Sequence, residues 1–583
     1  MKPPVGLLPS LVIGLISALC FLPTLSGSFL NWDDNVNFLD NPAYRGLGLD
    51  QLRWDVTTVL FGHYIPLTRL TWSLNYAVGG LDPWGYHLVN LVLHSVNASI
   101  FYLVALRLLS AAVEQGVPGP RKHSDLVLSA AVTALVFGVH PLRVEPVAWI
   151  SARADLLCTL FVLLTVWSYL RAVETDGPAR SRPMALSTLT FAAALLSKGV
   201  ALCLPAALFL LDVYPLRRLS RLGWRPLVRE KMPLFLVMVA GAMAVAYALR
   251  HGAALTHLST YGFGARLVAT VYGCVVSLFR FVWPASLSPL YEMPARISLL
   301  EPRFGLALLA AVLLTGLLIM LRRVWPACLA AWIFSALMLA PVSAAGRQGA
   351  DLAPDRYSYL AGLGFAVMAG GAALMAIRLV RLGTFSRATA GLIGITALVG
   401  IMALAFTSWS YAAAWRDSAT LWRWAVDVDP DCSVCHGKLG ESDMSGPDSA
   451  RQAEQSFRRA IAGRPDLPDA YFNLGSALVI QGRYEEAEEP LRRYAAQAPK
   501  GAIDAGRLGL RYLHDARYGA AIPFLRTALG QHPDAAALRA SLVAALQGHA
   551  RELQVQGRTA EADRFAAESR ALRDGRRAEP ASR

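Results

Sequence analysis

Apolar runs of about 20 residues recur through the first 408 positions. Nothing constrains the fold more, because a helix rising about 1.5 Å per residue needs that length to cross a hydrocarbon core about 30 Å thick. Eleven segments meet or approach the requirement: 5–25, 88–109, 125–140, 155–172, 184–197, 199–214, 232–250, 303–321, 324–341, 359–377 and 388–408. The first follows Lys2 and is long for a cleaved leader, so it reads as an uncleaved anchor that sends the next loop outside. Charge divides the chain at the same place. Residues 1–408 hold 31 Lys and Arg against 18 Asp and Glu, whereas 409–583 hold 24 against 23. The net charge of +14 therefore belongs almost wholly to the apolar part. Its basic residues sit in short connections between apolar runs, which is the pattern of a membrane protein and excludes nucleic acid as partner. Six Lys against 49 Arg point to a GC-rich bacterial genome, hence to a multi-pass protein of the bacterial inner membrane.

Orientation follows from the excess of Lys and Arg on the cytoplasmic side. Arg121 and Lys122, Arg180 and Arg182, the 214–231 connection with Arg217 and Lys231, Arg322 and Arg323, and Arg378, Arg381 and Arg387 share one side if the N-terminus is cytoplasmic. The count works only if the run 267–283 does not cross, so it is expected as an interfacial helix on the outer face. Eleven crossings then put residues 409–583 outside, in the periplasm.

That soluble tail is periodic. Pro430, Pro465, Pro499 and Pro533 stand 35, 34 and 34 residues apart, the period of tetratricopeptide (TPR) helix pairs. One unit reads Tyr471, Leu474, Gly475, Leu478, Gly482, Tyr484, Ala487, Leu491, Pro499. The next reads Ala505, Leu508, Gly509, Tyr512, Ala516, Tyr518, Ala521, Leu525, Pro533. Small residues at Gly475 and Ala487 let two helices approach, and the large residues fill the space between them. A stretched last unit ends near 570, before an Arg-rich terminus expected to fray. A TPR α-solenoid offers a concave surface for a peptide, so it predicts a partner protein and no reaction.

Chemistry is expected on the outer face of the apolar part, where charge is costly and therefore functional by default. Asn31-Trp32-Asp33-Asp34-Asn35 follows the first span directly. Adjacent carboxylates near a low-dielectric boundary repel, so one of Asp33 and Asp34 is expected with a raised pKa, able to take a proton from a hydroxyl. The competing reading is a solvated turn. His140, Arg143, Glu145, Arg153 and Asp155 crowd a short second connection, either as a phosphate grip or as a structural Arg–Glu pair. Lys198 and the run Asp355-Arg356-Tyr357 flank spans on the same face. His87, Asn90 and His94 lie on one stripe of the second span, where hydrogen bonds between helices are the plainer role. No Walker motif, HExxH or nucleophile elbow occurs, and no metal-ligand set is expected.

The blocks FGHYIPLTRLTWSLNYAVGGLDPWGYHLVNLVLH, HPLRVEPVAWISARADLL, LSKGVALCLPAALFLLDVYPL and DRYSYLAGLGF, in this order and followed by TPRs, resemble the transmembrane and TPR-containing glycosyltransferases. These belong to the GT-C superfamily, which also holds the protein O-mannosyltransferases. The resemblance implies an all-α, polytopic GT-C-like membrane domain at 1–408 and a TPR domain at 409–583. It also implies a polyprenyl-phosphate sugar (mannose by analogy) as donor and a Ser or Thr hydroxyl of an exported protein as acceptor. Asp33 and Asp34 match its catalytic acidic pair. His140, Arg143, Arg153, Lys198, Arg356 and Tyr357 match its outer polar positions as donor-phosphate ligands, with Glu145, His87 and His94 supporting. Ile65 departs from it, standing before Pro66 where a polar or basic residue is expected.

A non-enzymatic TPR scaffold assembling an envelope complex is the alternative function, but it needs no acidic pair and no charged outer loops. An exporter would want ionisable residues at mid-membrane, for which Asp212 is weak support. Cys432-Ser433-Val434-Cys435-His436 spells a haem-attachment motif at the start of a TPR helix. No second axial ligand lies nearby, so no haem and no other cofactor is expected, and the two thiols form either a disulfide or a packed reduced pair.

Overall fold

The computed structural model describes residues 6–114, 122–251, 262–294, 296–344, 351–444, 447–497 and 502–573. Lys2, Arg121, Pro499 and the Arg-rich terminus lie outside these residues. Every regular element described is helical, apart from isolated bridges at Leu60–His63 and Glu292–Asp351. The chain divides into two compact units, Met1–Leu421 and Trp422–Arg583.

Among the described residues of the first unit, seven helices are long and apolar enough to cross a membrane: Pro83–Glu114, Ile150–Glu174, Met232–His251, Gly264–Val282, Pro302–Arg323, Asp355–Arg381 and Ala388–Ala414. An eighth is possible if His123–Gly138 and Pro141–Ala148, bent by 57° at Pro141, form one broken span. The chain is thus a multi-pass membrane protein, but the expected eleven crossings are not all met by length. Leu7–Cys20 has 14 residues, about 21 Å of helix, and stops before Leu22-Pro23. Ser181–Ser197 ends where Lys198 turns extended, and Gly199–Val213 and Pro326–Pro341 are short apolar helices. The run 267–283, expected as an interfacial helix, is helical. It forms Gly264–Val282, which by length and apolar composition could either cross or lie along a membrane surface.

Small residues let the first spans pack closely. A Cβ on Gly138 would fall 2.2 Å from Ser17 Oγ, and one on Gly370 would fall 1.8 Å from Thr133 Oγ1. The Ser95 hydroxyl donates to Gly14 O at 2.9 Å, so Leu7–Cys20 and Pro83–Glu114 are bonded as well as packed. Asp212 is buried yet compensated. It accepts from Tyr169 Oη at 2.6 and 2.7 Å, from Arg218 at 2.9 Å, and from Lys231. A carboxylate so enclosed closes the basic 214–231 connection onto the helices and is not an open ion path.

The second unit is a run of helices from Ser433–Ser442 to Thr559–Arg573, most packing on the next in the chain, with Tyr484–Gln497 packing on Tyr518–Gln531. Its core is Ala453, Phe457, Leu474, Ala477, Leu478, Ala487, Leu491, Ala505, Ala520 and Phe524. The close approach expected at the small positions is present: a Cβ on Gly475 would meet Leu491 Cγ at 2.5 Å, and one on Gly509 would meet Leu525 Cγ at 2.8 Å. Gly482 ends Pro468–Ile480 with φ +79°, and Ala516 holds the equivalent position with φ +55°. Cys432 and Cys435 are disulfide-bonded with Cα atoms 5.3 Å apart. His436 donates from Nε2 to Pro430 O at 3.0 Å.

Candidate active site

The site forms where irregular backbone interrupts the helices at one end of the first unit. After the Leu22–Ser26 turn the chain is anchored by Ser28 N–H donating to Arg416 O at 2.8 Å, and it then places Asp33 half-buried and Asp34 fully buried. Asp34 accepts from Leu30 N–H at 3.0 Å, from Ser151 N–H at 3.2 Å and from the Ser151 hydroxyl at 2.5 Å. Asn37 Nδ2 donates to the same hydroxyl at 2.9 Å. Burial pushes the Asp34 carboxyl up to about 7; the bonds from Ser151 and Leu30 oppose the rise, and the Asp33 charge adds to it. The two carboxylates therefore differ. Asp34 is sealed by its own donors, whereas Asp33 keeps contact with solvent.

Aromatic rings join this pair to the cations. Trp32 stacks on Trp149 with centroids 4.6 Å apart, and the Arg356 guanidinium lies 5.3 Å from Trp149, 5.9 Å from Trp32 and 5.2 Å from Tyr357. Glu145, buried, receives Arg356 twice, from the side chain and from the backbone N–H at 2.8 Å. Asp351 stands 3.6 Å from the same guanidinium, and burial raises its carboxyl to about 7 against that cation. Lys198 pairs with Asp155 at 2.6 Å and lies 5.9 Å from the Tyr357 ring. Asp33, Asp34, Glu145, Lys198, Arg356 and Tyr357, distant in sequence, thus share one region.

The remaining expected residues occupy the packed interior beside it. Arg153, fully buried, donates to Asn90 Oδ1 at 2.9 Å, to Thr71 O at 3.1 Å and to Tyr86 O at 3.0 Å, so its fork is engaged by the chain itself. Arg143 donates to Ser358 O at 2.8 Å and lies over Phe137 and Tyr359. Only glycine at 362 leaves room for it, since a Cβ there would fall 2.3 Å from its Nη2. His140 stacks on Phe281 at 4.6 Å and donates from Nε2 to Phe281 O at 2.9 Å. His94 donates from Nε2 to Gly138 O at 2.9 Å and accepts from Tyr359 Oη at 2.8 Å. His87 packs on Gly27, where a Cβ would come within 2.6 Å of its ring. The stripe of the second span accordingly ties helices together.

Sequence reasoning passed over Ser151, Asp351 and the Arg280–Asp355 pair at 3.1 Å. Ser151 lies between the quoted Trp149 and Arg153, and Asp351 four residues before Asp355. Only the fold reveals that they meet Asp34 and Arg356. Among the described residues no three His, Cys, Asp or Glu side chains gather as metal ligands. The second unit carries two open depressions. One, of about 450 Å³, is lined by Arg451, Glu454, Arg458 and Arg483; the other, of about 300 Å³, by Arg458, Tyr471, Leu474 and Arg493.

No family model matches the chain. Individual proteins do. Protein O-mannosyl-transferase TMTC4 of Mus musculus is 37% identical over 177 residues, 29% of this chain and 23% of that protein. Protein O-mannosyl-transferase TMTC2 of Mus musculus is 29% identical over 242 residues, 40% and 27% of the two chains. Protein O-mannosyl-transferase TMTC1 of Homo sapiens is 34% identical over 196 residues, 31% and 20% of the two. The chain is a relative of these transferases over those stretches, and it spans about a quarter of the length of the curated relatives it matches.

Proposed function

We propose that this relative of the protein O-mannosyl-transferases is itself an inverting glycosyltransferase of GT-C type. It moves mannose from a polyprenyl-phosphate donor to Ser or Thr hydroxyls of exported proteins. The observation that carries the reading is the pairing of a half-buried Asp33 with a fully buried Asp34 that accepts from Leu30 and Ser151, beside the aromatic and cationic wall of Trp32, Trp149, Arg356 and Lys198. A hydroxyl is a poor nucleophile until its proton is taken, and Asp33 is the carboxylate placed to take it. The oxygen then bonds to the anomeric carbon from the face opposite the lipid phosphate. The carbon–oxygen bond to that phosphate breaks and its electron pair stays with the phosphate. Charge grows on the leaving group as the bond breaks, so cations set in advance at Arg356 and Lys198 lower the barrier. Arg143, Arg153, His140, His87 and His94 act one layer back, holding the segments that carry these groups.

A lipid donor accounts for the membrane-embedded site, and a TPR solenoid at 422–573 accounts for protein acceptors, its Arg- and Tyr-lined depressions taking an extended segment. The reading places the 214–231 connection in the cytoplasm and the second unit outside the bacterial inner membrane. Purified protein incubated with mannosyl-polyprenyl phosphate and envelope proteins should yield hexose-modified Ser or Thr peptides by mass spectrometry, and Asp33→Asn should not. Absence of any transferred sugar with the unaltered protein, together with an unchanged envelope glycoproteome when the gene is deleted, overturns the reading. Cysteine labelling at positions 225 and 480 tests the sidedness, and cytoplasmic labelling at 480 would reverse it.

A further inference from the structure

The basic 214–231 connection carries its charge on two levels. Met232–His251, long and apolar enough to cross a membrane, starts directly after Lys231, which sets the connection at the level of the lipid headgroups. Two short helices, Arg218–Leu222 and Trp224–Glu230, turn at Gly223 with φ +74°. Beneath them both nearby carboxylates are engaged. Arg218 forks onto Glu230 at 2.6 and 3.1 Å and reaches Asp212 at 2.9 Å, and Arg180 joins Glu230 from the preceding connection. Lys231, fully buried, pairs with Asp212 and donates to Tyr169 Oη at 2.8 Å. Arg218 and Lys231 thus balance Asp212 and Glu230 and pin the segment to the helices below it.

The outer level has no such compensation. Arg217, Arg225 and Arg229 are exposed, and among the described residues none of them pairs with a carboxylate. Arg225 and Arg229 stand one turn apart on one helix face, and the Arg225 guanidinium lies 5.5 Å from the Trp224 ring. Trp224 is 60% exposed and Leu222 49%. Apolar groups so open to water carry a hydration cost that a lipid interface removes, and an indole beside guanidinium groups is suited to that layer: the ring reaches the acyl boundary while the cations stay with phosphates. We propose that residues 217–229 form a docking surface for anionic phospholipid, with Arg217, Arg225 and Arg229 on headgroup phosphates and Leu222 and Trp224 at the acyl boundary. The Asp212 and Glu230 pairs hold that surface rigid from below. Its lipid is bulk membrane lipid and not a sugar donor, so the proposal stands apart from the glycosyltransferase reading.

The test is lipid titration of the full chain in neutral detergent, read by native mass spectrometry, with phosphatidylglycerol and phosphatidylcholine as probes. The unaltered protein should bind phosphatidylglycerol about tenfold tighter than phosphatidylcholine, and Arg217→Gln/Arg225→Gln/Arg229→Gln should lose most of that preference. Removing the same charge at exposed positions of the second unit, in Arg459→Gln/Arg551→Gln/Arg564→Gln, should change it by less than about twofold. Trp224→Ala should weaken both lipids by about threefold. Thermal melts run in parallel check folding, and the rise in melting temperature given by phosphatidylglycerol should fade at about 1 M salt, where the Debye length is about 3 Å. Equal phosphatidylglycerol affinity of the first triple variant and the unaltered protein overturns the proposal and leaves these arginines to an acidic protein partner. An equal loss in the second-unit variant also overturns it, since net charge alone would then decide. Stabilisation by inorganic phosphate that matches phosphatidylglycerol makes this a free-phosphate site and overturns the lipid assignment.

Discussion

The two units of this chain treat charge in opposite ways. In Met1–Leu421 carboxylates lie inside: Asp34, Glu145, Asp212, Asp351 and Asp355 are all buried, each held by named donors or cations. In Trp422–Arg583 many ion pairs lie on exposed helix faces at short spacing, such as Arg483–Glu486 and Arg492–Glu489, while Phe457, Leu478, Leu491 and Phe524 fill the interior. Surface pairs of that kind contribute little and chiefly keep helices soluble. A buried carboxylate costs several kcal/mol to desolvate and persists only where partners compensate it. The contrast separates a unit whose apolar interior encloses compensated carboxylates from one whose charges stay on its surface, and substitutions in each should fail in different ways.

The largest effect is expected from Asp33→Asn, which keeps the size but removes the base. Sugar transfer should fall by about 10²- to 10⁴-fold with the melt unchanged. Near-normal turnover would turn the acidic pair into a mere turn and erase the contrast. Arg356→Ala should act on the fold as well as on the donor, because it strands the buried Glu145 at a cost of about 3–5 kcal/mol. Adding Glu145→Gln should restore the melt while donor affinity stays low. Recovery of both would make Arg356 purely structural.

Stability against pH sharpens the same point. Asp34 keeps its proton up to about pH 7 when folded but releases it near 3.8 when unfolded. Between those values the folded chain binds more protons than the unfolded one, so its stability falls as pH rises through the window, by an amount on the order of 4 kcal/mol in full. Asp34→Asn, with no proton to lose, should flatten that part of a melting-temperature profile. In the second unit Leu491→Ala should cost about 2–5 kcal/mol by opening a cavity against Gly475, and should leave polyprenyl-phosphate binding untouched. A parallel loss of lipid binding would show the two units to be coupled. The smallest effect is a gain. Ala516→Gly relieves a left-handed backbone that the neighbouring repeat assigns to Gly482, and should raise stability by up to about 1 kcal/mol in denaturant titration.

Helical class was legible because apolar runs near 20 residues admit little else in lipid. The residues that gather at one end of the first unit were legible in part, because a polar residue beside an apolar run has few places to go. Ser151 and Asp351 were not, because nothing in their spacing sets them apart from other polar residues beside a helix. Nor was the burial of Asp34 relative to Asp33, since neighbours in a turn look alike until Leu30 and Ser151 close on one of them.

What the sequence by itself determined is local: helix by apolar length, repeat by its 34-residue period, and charge by composition. Length alone does not fix where each helix ends, because a helix stops where Pro, Gly or an extended Lys198 breaks its hydrogen bonds. The tertiary structure alone decided which charges became neighbours. Glu145 and Arg356 are separated by 211 residues, Asp34 and Ser151 by 117. No periodic signal encodes such a meeting, because it depends on how whole helices pack and on which partner can offset the cost of burying a charge.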